Sequence, residues 1–301
     1  MLKTPILFLI FNRPDTTQQV FDSIREQQPA RLYVAADAPR RNRVGETVLC
    51  EQARAIINQV DWDCEIKTLF REENLGCKLA VSSAITWFFE QEESGIILED
   101  DCLPDASFFP YCENLLERYK NDERIGHISG NCFLPKFFTK EPSYDFSSIP
   151  HIWGWATWRR VWKNYDVNFS YWEETKSDRK AREKLFDSFW EKVYFSTFIS
   201  DSIQNKNGIN AWSVQYLLML KKQDQLSIYP FVNLVSNIGL NVVNATHTQK
   251  RTRKLYCSSS SMPFPLKHPS SILRNKILDK ATIRKLFFSW KRLVRYICGD
   301  Y

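Results

Sequence analysis

Three carboxylates stand in a row at Glu99, Asp100 and Asp101, directly behind the apolar run of residues 96–98 and shortly before Pro104. Adjacent acids repel one another, so a row of them behind a buried segment needs something to offset the repulsion. A hard divalent cation does this. Mg²⁺ or Mn²⁺ bridging a diphosphate needs only one or two protein carboxylates, which leaves neighbouring acids for ribose or sugar hydroxyls. The plain alternative is a solvated loop with a helix-capping acid, a task for which Asp105 already stands in place.

Polar residues also close the earlier apolar runs. Asn12 and Arg13 follow residues 6–11, Asp37 follows 32–36, and Arg71 follows 64–70. Between these short β-rich runs lie segments of helical period: 15–27 behind Pro14, 46–60 with Ala53, Ile56, Ile57 and Val60 on one stripe, and 78–90 opened by Gly76. A helix over 106–119 and a fifth strand over 125–129 continue the series. Short buried strands alternating with helices predict an α/β fold with a mostly parallel sheet covered on both faces. Ligands of such sheets sit beyond the carboxyl ends of the strands, so Arg13, Asp37, Arg71 and residues 99–101 are expected to converge on one edge. No G-x-G-x-x-G or G-x-x-x-x-G-K-[ST] follows any strand, which argues against those two phosphate-binding designs. In "REENLGCKLAVSSAI", Arg71, Asn74 and Lys78 flank a helix start whose free N–H groups could meet a diphosphate; the bland reading is a turn and a core helix.

The second half is less regular. "HIWGWATWRRVW" gathers four tryptophans around Gly154 and suits a core as well as a sugar-facing loop. Residues 177–204 and 212–221 read as helices, and "LSIYPFVNLVSNIG" as a strand with an extended return. The net charge of +6 conceals an asymmetry: residues 250–301 carry 13 Lys+Arg against 2 Asp+Glu, while 1–249 carry 28 against 33. The basic surplus is a property of the tail, so a nucleic-acid partner is not expected. A body over 1–249 and a linker with a basic amphipathic helical tail over 250–301 is the expected division. The tail either docks on the body or meets an anionic membrane surface. Eight scattered cysteines with no C-x-x-C point to free thiols and a cytoplasmic setting, peripheral at the inner face of a membrane if the tail binds there.

"IILEDDCLPDASFF" resembles the E-D-D segment of the inverting N-acetylglucosaminyltransferase I family, within the GT-A nucleotide-sugar glycosyltransferases. "FNRPDTT" and "VAADAPR" resemble that family's first two strand-loops, and the likeness covers about residues 4–160. Bacterial proteins of sugar-transferase type, some labelled haemolytic-protein-like, look closer still, through "VNLVSNIG" and "ATHT". The resemblance implies a GT-A fold and a metal-dependent inverting transfer from a nucleotide-sugar donor, UDP-linked rather than GDP-linked. The acceptor would be a saccharide or a lipid-linked intermediate of surface polysaccharide.

By the same resemblance Arg13 contacts the nucleotide, Asp37 reads the uracil, Glu99 faces the donor sugar, Asp100 the nucleotide and Asp101 the metal. The resemblance also makes Trp153, Gly154 and Trp155 a sugar-binding loop and joins His247 to the metal or diphosphate, while the helix start after Gly76, read functionally, puts Arg71, Asn74 and Lys78 beside the nucleotide. The family's acidic general base falls here on Ser213, a poor base by itself, with Asp201 the nearest upstream acid. Two rivals stand beside this reading. One is a nucleotidyltransferase of related fold, which usually carries a Gly-rich basic loop after its first strand. The other is a catalytically impaired carbohydrate-binding or membrane-associated protein.

Overall fold

The computed structural model describes residues 1–134, 141–175, 177–204, 211–241, 257–287 and 289–299. Its first half is built of β1 (Ile6–Ile10), α1 (Pro14–Gln27), β2 (Arg31–Ala36), α2 (Glu46–Ala55), β3 (Glu65–Phe70), α3 (Gly76–Phe89), β4 (Ser94–Glu99), β5 (Cys102–Pro104) and α4 (Phe108–Arg118). All five residues of β1 are buried, as an unalternating apolar strand requires when both sheet faces are covered. Pro14 sits at the start of α1, where its missing N–H costs nothing, and Thr17 donates from its hydroxyl to the Arg13 carbonyl at 2.7 Å.

The chain continues through β6 (Ile125–Ser129), β7 (Tyr144–Ser147), β8 (Trp155–Trp158), α5 (Arg159–Trp162), α6 (Ser170–Thr175), α7 (Arg179–Leu185), α8 (Phe189–Ile203), α9 (Ser213–Lys222), β9 (Leu226–Pro230) and β10 (Val235–Asn237). The described residues form an eight-stranded sheet in the order β3-β2-β1-β4-β8-β6-β9-β7, and a two-stranded one of β10 and β5. Strands β1, β2, β3 and β4 are parallel, β8 runs against both β4 and β6, β9 lies parallel to β6, and β7 runs against β9. The fold is α/β and Rossmann-like, mostly parallel, as expected.

The helix over 106–119 begins at Phe108, because Asp105 and Ser107 form a tight turn before it, with Ser107 N–H donating to Asp105 Oδ1 at 2.9 Å. The expected helix over 177–204 breaks between α7 and α8. Strand β8 goes unannounced in the sequence: four consecutive buried residues, two of them tryptophan, show no alternation to mark a strand.

The tail is not one continuous helix. It comprises α10 (Lys276–Thr282), a π-helical turn over Ile283–Phe287, and α11 (Trp290–Ile297). The chain is extended at Ser289 (φ −153°, ψ 119°), so α11 is a separate helix and a stripe that is continuous in sequence is divided between two helices. The tail is tied into the body. Lys267 and Ser143 are paired through backbone and side chain, Asn275 N–H donates to the Phe146 carbonyl at 2.8 Å, and buried Asp279 accepts from Ser147 and Ser148. Arg274 bridges Asp187, Asp279 and the buried Glu191. All eight cysteines are free thiols, and among the described residues no helix is long and apolar enough to cross a membrane.

Candidate active site at the switch between β1 and β4

The chain lays β2 and β3 outward on one side of β1 and then returns to place β4 on the other. Such a reversal opens a crevice at the strands' carboxyl ends, where loops leave in opposite directions. Arg13 follows β1 at this point, and Glu99, Asp100 and Asp101 close β4. Arg13 Nη1 donates to Asp101 Oδ2 at 2.7 Å and lies 3.9 Å from Asp100 Oδ1. The backbone N–H of Phe11 donates to Asp100 Oδ2 at 3.1 Å, so Asp100 is held from the β1 side by main chain and guanidinium together.

These contacts do not neutralise the row. Burial first, then Asp101 and Asp100, pushes the Glu99 carboxyl up to about 8. Burial and then Asp101 pushes Asp100 up to about 7, against the pull of Arg13 and the Phe11 N–H. Burial is the larger cause of both shifts, and the repulsion between neighbouring carboxylates adds to it. A cation would relieve it.

A fifth participant, Gly239, comes from far along the chain. Strand β10 pairs antiparallel with β5, Asn237 opposite Cys102, and Ile238 N–H then donates to the Asp101 carbonyl at 2.8 Å. This lays Gly239 over the cluster so closely that a Cβ there would stand 2.4 Å from Asp101 Oδ2 and 2.9 Å from Arg13 Nη1. "VSNIG" carries a glycine, but nothing in the linear sequence assigns it to the acids of β4.

Asp37 closes β2 and turns inward. Its carboxylate accepts from the N–H groups of Ala38, Leu75 and Gly76 at 3.0, 3.0 and 2.9 Å. It therefore caps the start of α3, and the helix end expected to meet a diphosphate holds a carboxylate of its own chain. Asn74 supports the same loop by donating to the Ala38 carbonyl at 2.6 Å. Arg71 donates to Ser83 Oγ on α3 at 2.7 Å, and Arg54 joins the Asp37 and Arg71 carbonyls. Lys78 is part-buried in the first turn of α3.

Three expectations are corrected. Trp155 is wholly buried on β8, stacked between His127 and Trp212 with ring centroids at 5.2 and 5.4 Å, so its indole is core and offers no face to a sugar. Gly154, at φ +62, is pressed against Val235, 2.7 Å from where a Cβ would lie, and its carbonyl accepts from Gly130 N–H at 2.7 Å; its closeness serves β10 rather than a sugar. Asp201, the candidate base, is 2% exposed and sits under two arginines of the tail, with Arg295 Nη1 at 2.8 Å and Arg292 Nη1 at 3.2 Å. A carboxylate so neutralised is a structural counter-ion. Trp153 stays part-buried, its N–H held by Asn131 Oδ1 at 3.2 Å beyond the end of β6. Ser213 opens α9. His247 lies outside the described residues.

Among the described residues no three His, Cys, Asp or Glu side chains form a ready cation cage. The donor set still fits a hard divalent ion of the kind that keeps most of its ligands as water and phosphate. Its oxygens are carboxylate, and Glu99, Asp100 and Asp101 stand side by side at the carboxyl end of β4, two of them served by the one guanidinium of Arg13.

No family model matches the chain, and no curated protein does. Among solved structures, apo UDP-glucose pyrophosphorylase is similar at 9% identity over 79% of this chain and 93% of that one, with a TM-score of 0.39. Mouse xyloside xylosyltransferase 1, apo form, is similar at 10% identity over 75% and 84%, TM-score 0.36. HddC from Yersinia pseudotuberculosis is similar at 10% identity over 58% and 84%, TM-score 0.34. Likenesses this distant carry no weight in assigning function, which rests on the site itself.

Proposed function

We propose that the protein is a metal-dependent glycosyltransferase that moves a sugar from a nucleotide-diphospho-sugar, UDP-linked, to a saccharide or lipid-linked acceptor in one inverting displacement. The observation that carries this reading is the meeting of Arg13 with Asp100 and Asp101 at the switch between β1 and β4, under Gly239. Arg13 is the guanidinium available to the donor's diphosphate. Asp101 is the carboxylate assigned to Mn²⁺ or Mg²⁺, an ion that supplies Lewis-acid neutralisation of a diphosphate leaving group when bound. Glu99 and Asp100 take hydroxyls of the donor, and Trp153 lies on the same edge. Asp201 is excluded as the proton acceptor by its arginines, so the acceptor hydroxyl loses its proton to another group.

A nucleotidyltransferase is disfavoured by the loop after β1. It reads Asn12-Arg13-Pro14 without glycine, and Pro14 removes a backbone N–H from it. The discriminating experiment is a thermal-shift and donor-hydrolysis screen of nucleotide sugars with Mn²⁺ or chelator, on wild type and Asp101→Ala. A metal-dependent shift with a nucleotide sugar, lost in Asp101→Ala, supports the reading. No shift of the wild type by any nucleotide sugar, with or without metal, overturns it. Release of pyrophosphate from a nucleoside triphosphate and a sugar phosphate would favour the rival.

A further inference from the structure

Helix α11 is docked with its polarity reversed. The expected arrangement for a terminal amphipathic helix puts the apolar stripe against the body and the charges in water. Here Arg292 and Arg295 turn inward to the buried Asp201, and Arg292 also donates to Thr197 Oγ1 at 3.0 Å and covers the rings of Tyr194 and Phe198. The outward face carries Trp290, Val294 and Ile297, 68%, 58% and 71% exposed, at the i, i+4, i+7 spacing of one stripe.

Arg292 meets residues 197 and 201, while Tyr296 meets Phe189, ring centroids 6.0 Å apart, so α11 runs antiparallel to α8. Phe189 and Trp190 at one end of α8 and Ile203 at the other are exposed as well. Exposed cations accompany this face: Lys291 within α11, and Lys280 and Arg284 in the segment leading to it. Of the nearby acids, Asp279 is buried and the exposed Asp187 is taken up by Arg274 and by Lys276 at 3.4 Å.

We propose that this face is a membrane-docking surface, in which the stripe of α11 and the apolar ends of α8 enter the interface of a bilayer bearing anionic headgroups. Apolar side chains backed by lysines and arginines suit such an interface, where the rings and methyls leave water and the cations meet lipid phosphate. Asp201 fixes the orientation: by holding Arg292 and Arg295 it aims the stripe away from the body. The tail thus binds the body and the membrane at once, through opposite faces. This proposal does not depend on the transfer chemistry.

The test is co-sedimentation of the full-length protein with vesicles of phosphatidylcholine alone and of phosphatidylcholine with phosphatidylglycerol. The wild type is expected to bind the anionic vesicles preferentially. Trp290→Ser/Val294→Ser/Ile297→Ser together should lower that binding at least about tenfold, since apolar area drives insertion, in a variant shown by circular dichroism to be folded. Lys280→Glu/Arg284→Glu/Lys291→Glu should weaken binding to anionic vesicles and leave weak neutral-vesicle binding unchanged. Absence of binding by the wild type, equal binding to both vesicle types, or a triple-serine variant that binds like wild type overturns the proposal. So does a concentration-dependent dimer, measured by light scattering, that the serine variant abolishes while no vesicle is bound. Nucleotide-sugar shifts of the serine variant, measured in parallel, report on the donor site separately.

Discussion

Arg13 and Asp101 are 88 residues apart in sequence and joined at 2.7 Å, and Gly239 closes over their contact. The pair spans the crevice where β1 and β4 part. Arg13→Met is therefore expected to lower nucleotide-sugar affinity at least tenfold and to cost about 1–3 kcal/mol of stability, because two enclosed carboxylates lose their counter-charge. Calorimetric titration and chemical denaturation check the two parts. Gly239→Ala forces its new methyl into Asp101 and should reduce donor binding with a smaller loss of stability, read from the same titration.

The acid row makes the ligand-free protein sensitive to alkali. Glu99 in the fold holds its proton up to about 8, above its ordinary 4.5, so between these values the folded state binds more protons than the unfolded one. This contribution is therefore fully present below about 4.5 and is lost as pH rises through about 8. Glu99→Gln should thus gain in melting temperature relative to wild type as pH is raised from 5 to 9, and Mn²⁺ should stabilise wild type more than the variant at pH 8. Parallel melting curves across that range settle it.

Two buried histidines act at the other limb. His127, hydrogen-bonded by Nδ1 to Tyr216 and by Nε2 to the His151 carbonyl, is pushed down by burial to about 3, and so is His151. A depressed base is stabilising above its ordinary 6.5, and that contribution is lost as pH falls toward about 3. His127→Gln should be less stable at pH 7 yet lose stability less steeply between pH 6.5 and 4, as acid denaturation will show.

Asp201→Asn separates structure from chemistry. Breaking a buried ion pair costs about 3–5 kcal/mol, and the partial exposure of Arg292 and Arg295 places the expected loss at or below the lower end. Transfer activity, assayed below the variant's melting temperature, should stay within twofold of wild type. A residue acting as general base would instead cost orders of magnitude in kcat.

The first half was legible because local and global signals agree there. Short unalternating apolar runs closed by polar residues, such as β1, read as strands buried on both faces, Pro14 marks a helix start, and Gly76 opens α3. The second half conceals itself for a physical reason. Strand β8 has no free face to give it a period, so "WGWATW" reads as an aromatic loop when it is the antiparallel strand between β4 and β6. The tail misled in a related way, since the chain leaves helical geometry at Ser289 and divides an apolar stripe that is continuous along the sequence.

By itself the sequence determined which residues end β1, β2, β3 and β4, because strand length and the polarity switch at its end are local properties. It determined too that Glu99, Asp100 and Asp101 would need a counter-charge. The tertiary structure decided which charges answer which. It gave Asp101 to Arg13, Asp37 to the amides that open α3, and Asp201 to Arg292 and Arg295. Such pairings depend on the order in which strands and helices are laid side by side, and that order is set by packing across the whole fold rather than by any stretch of its chain.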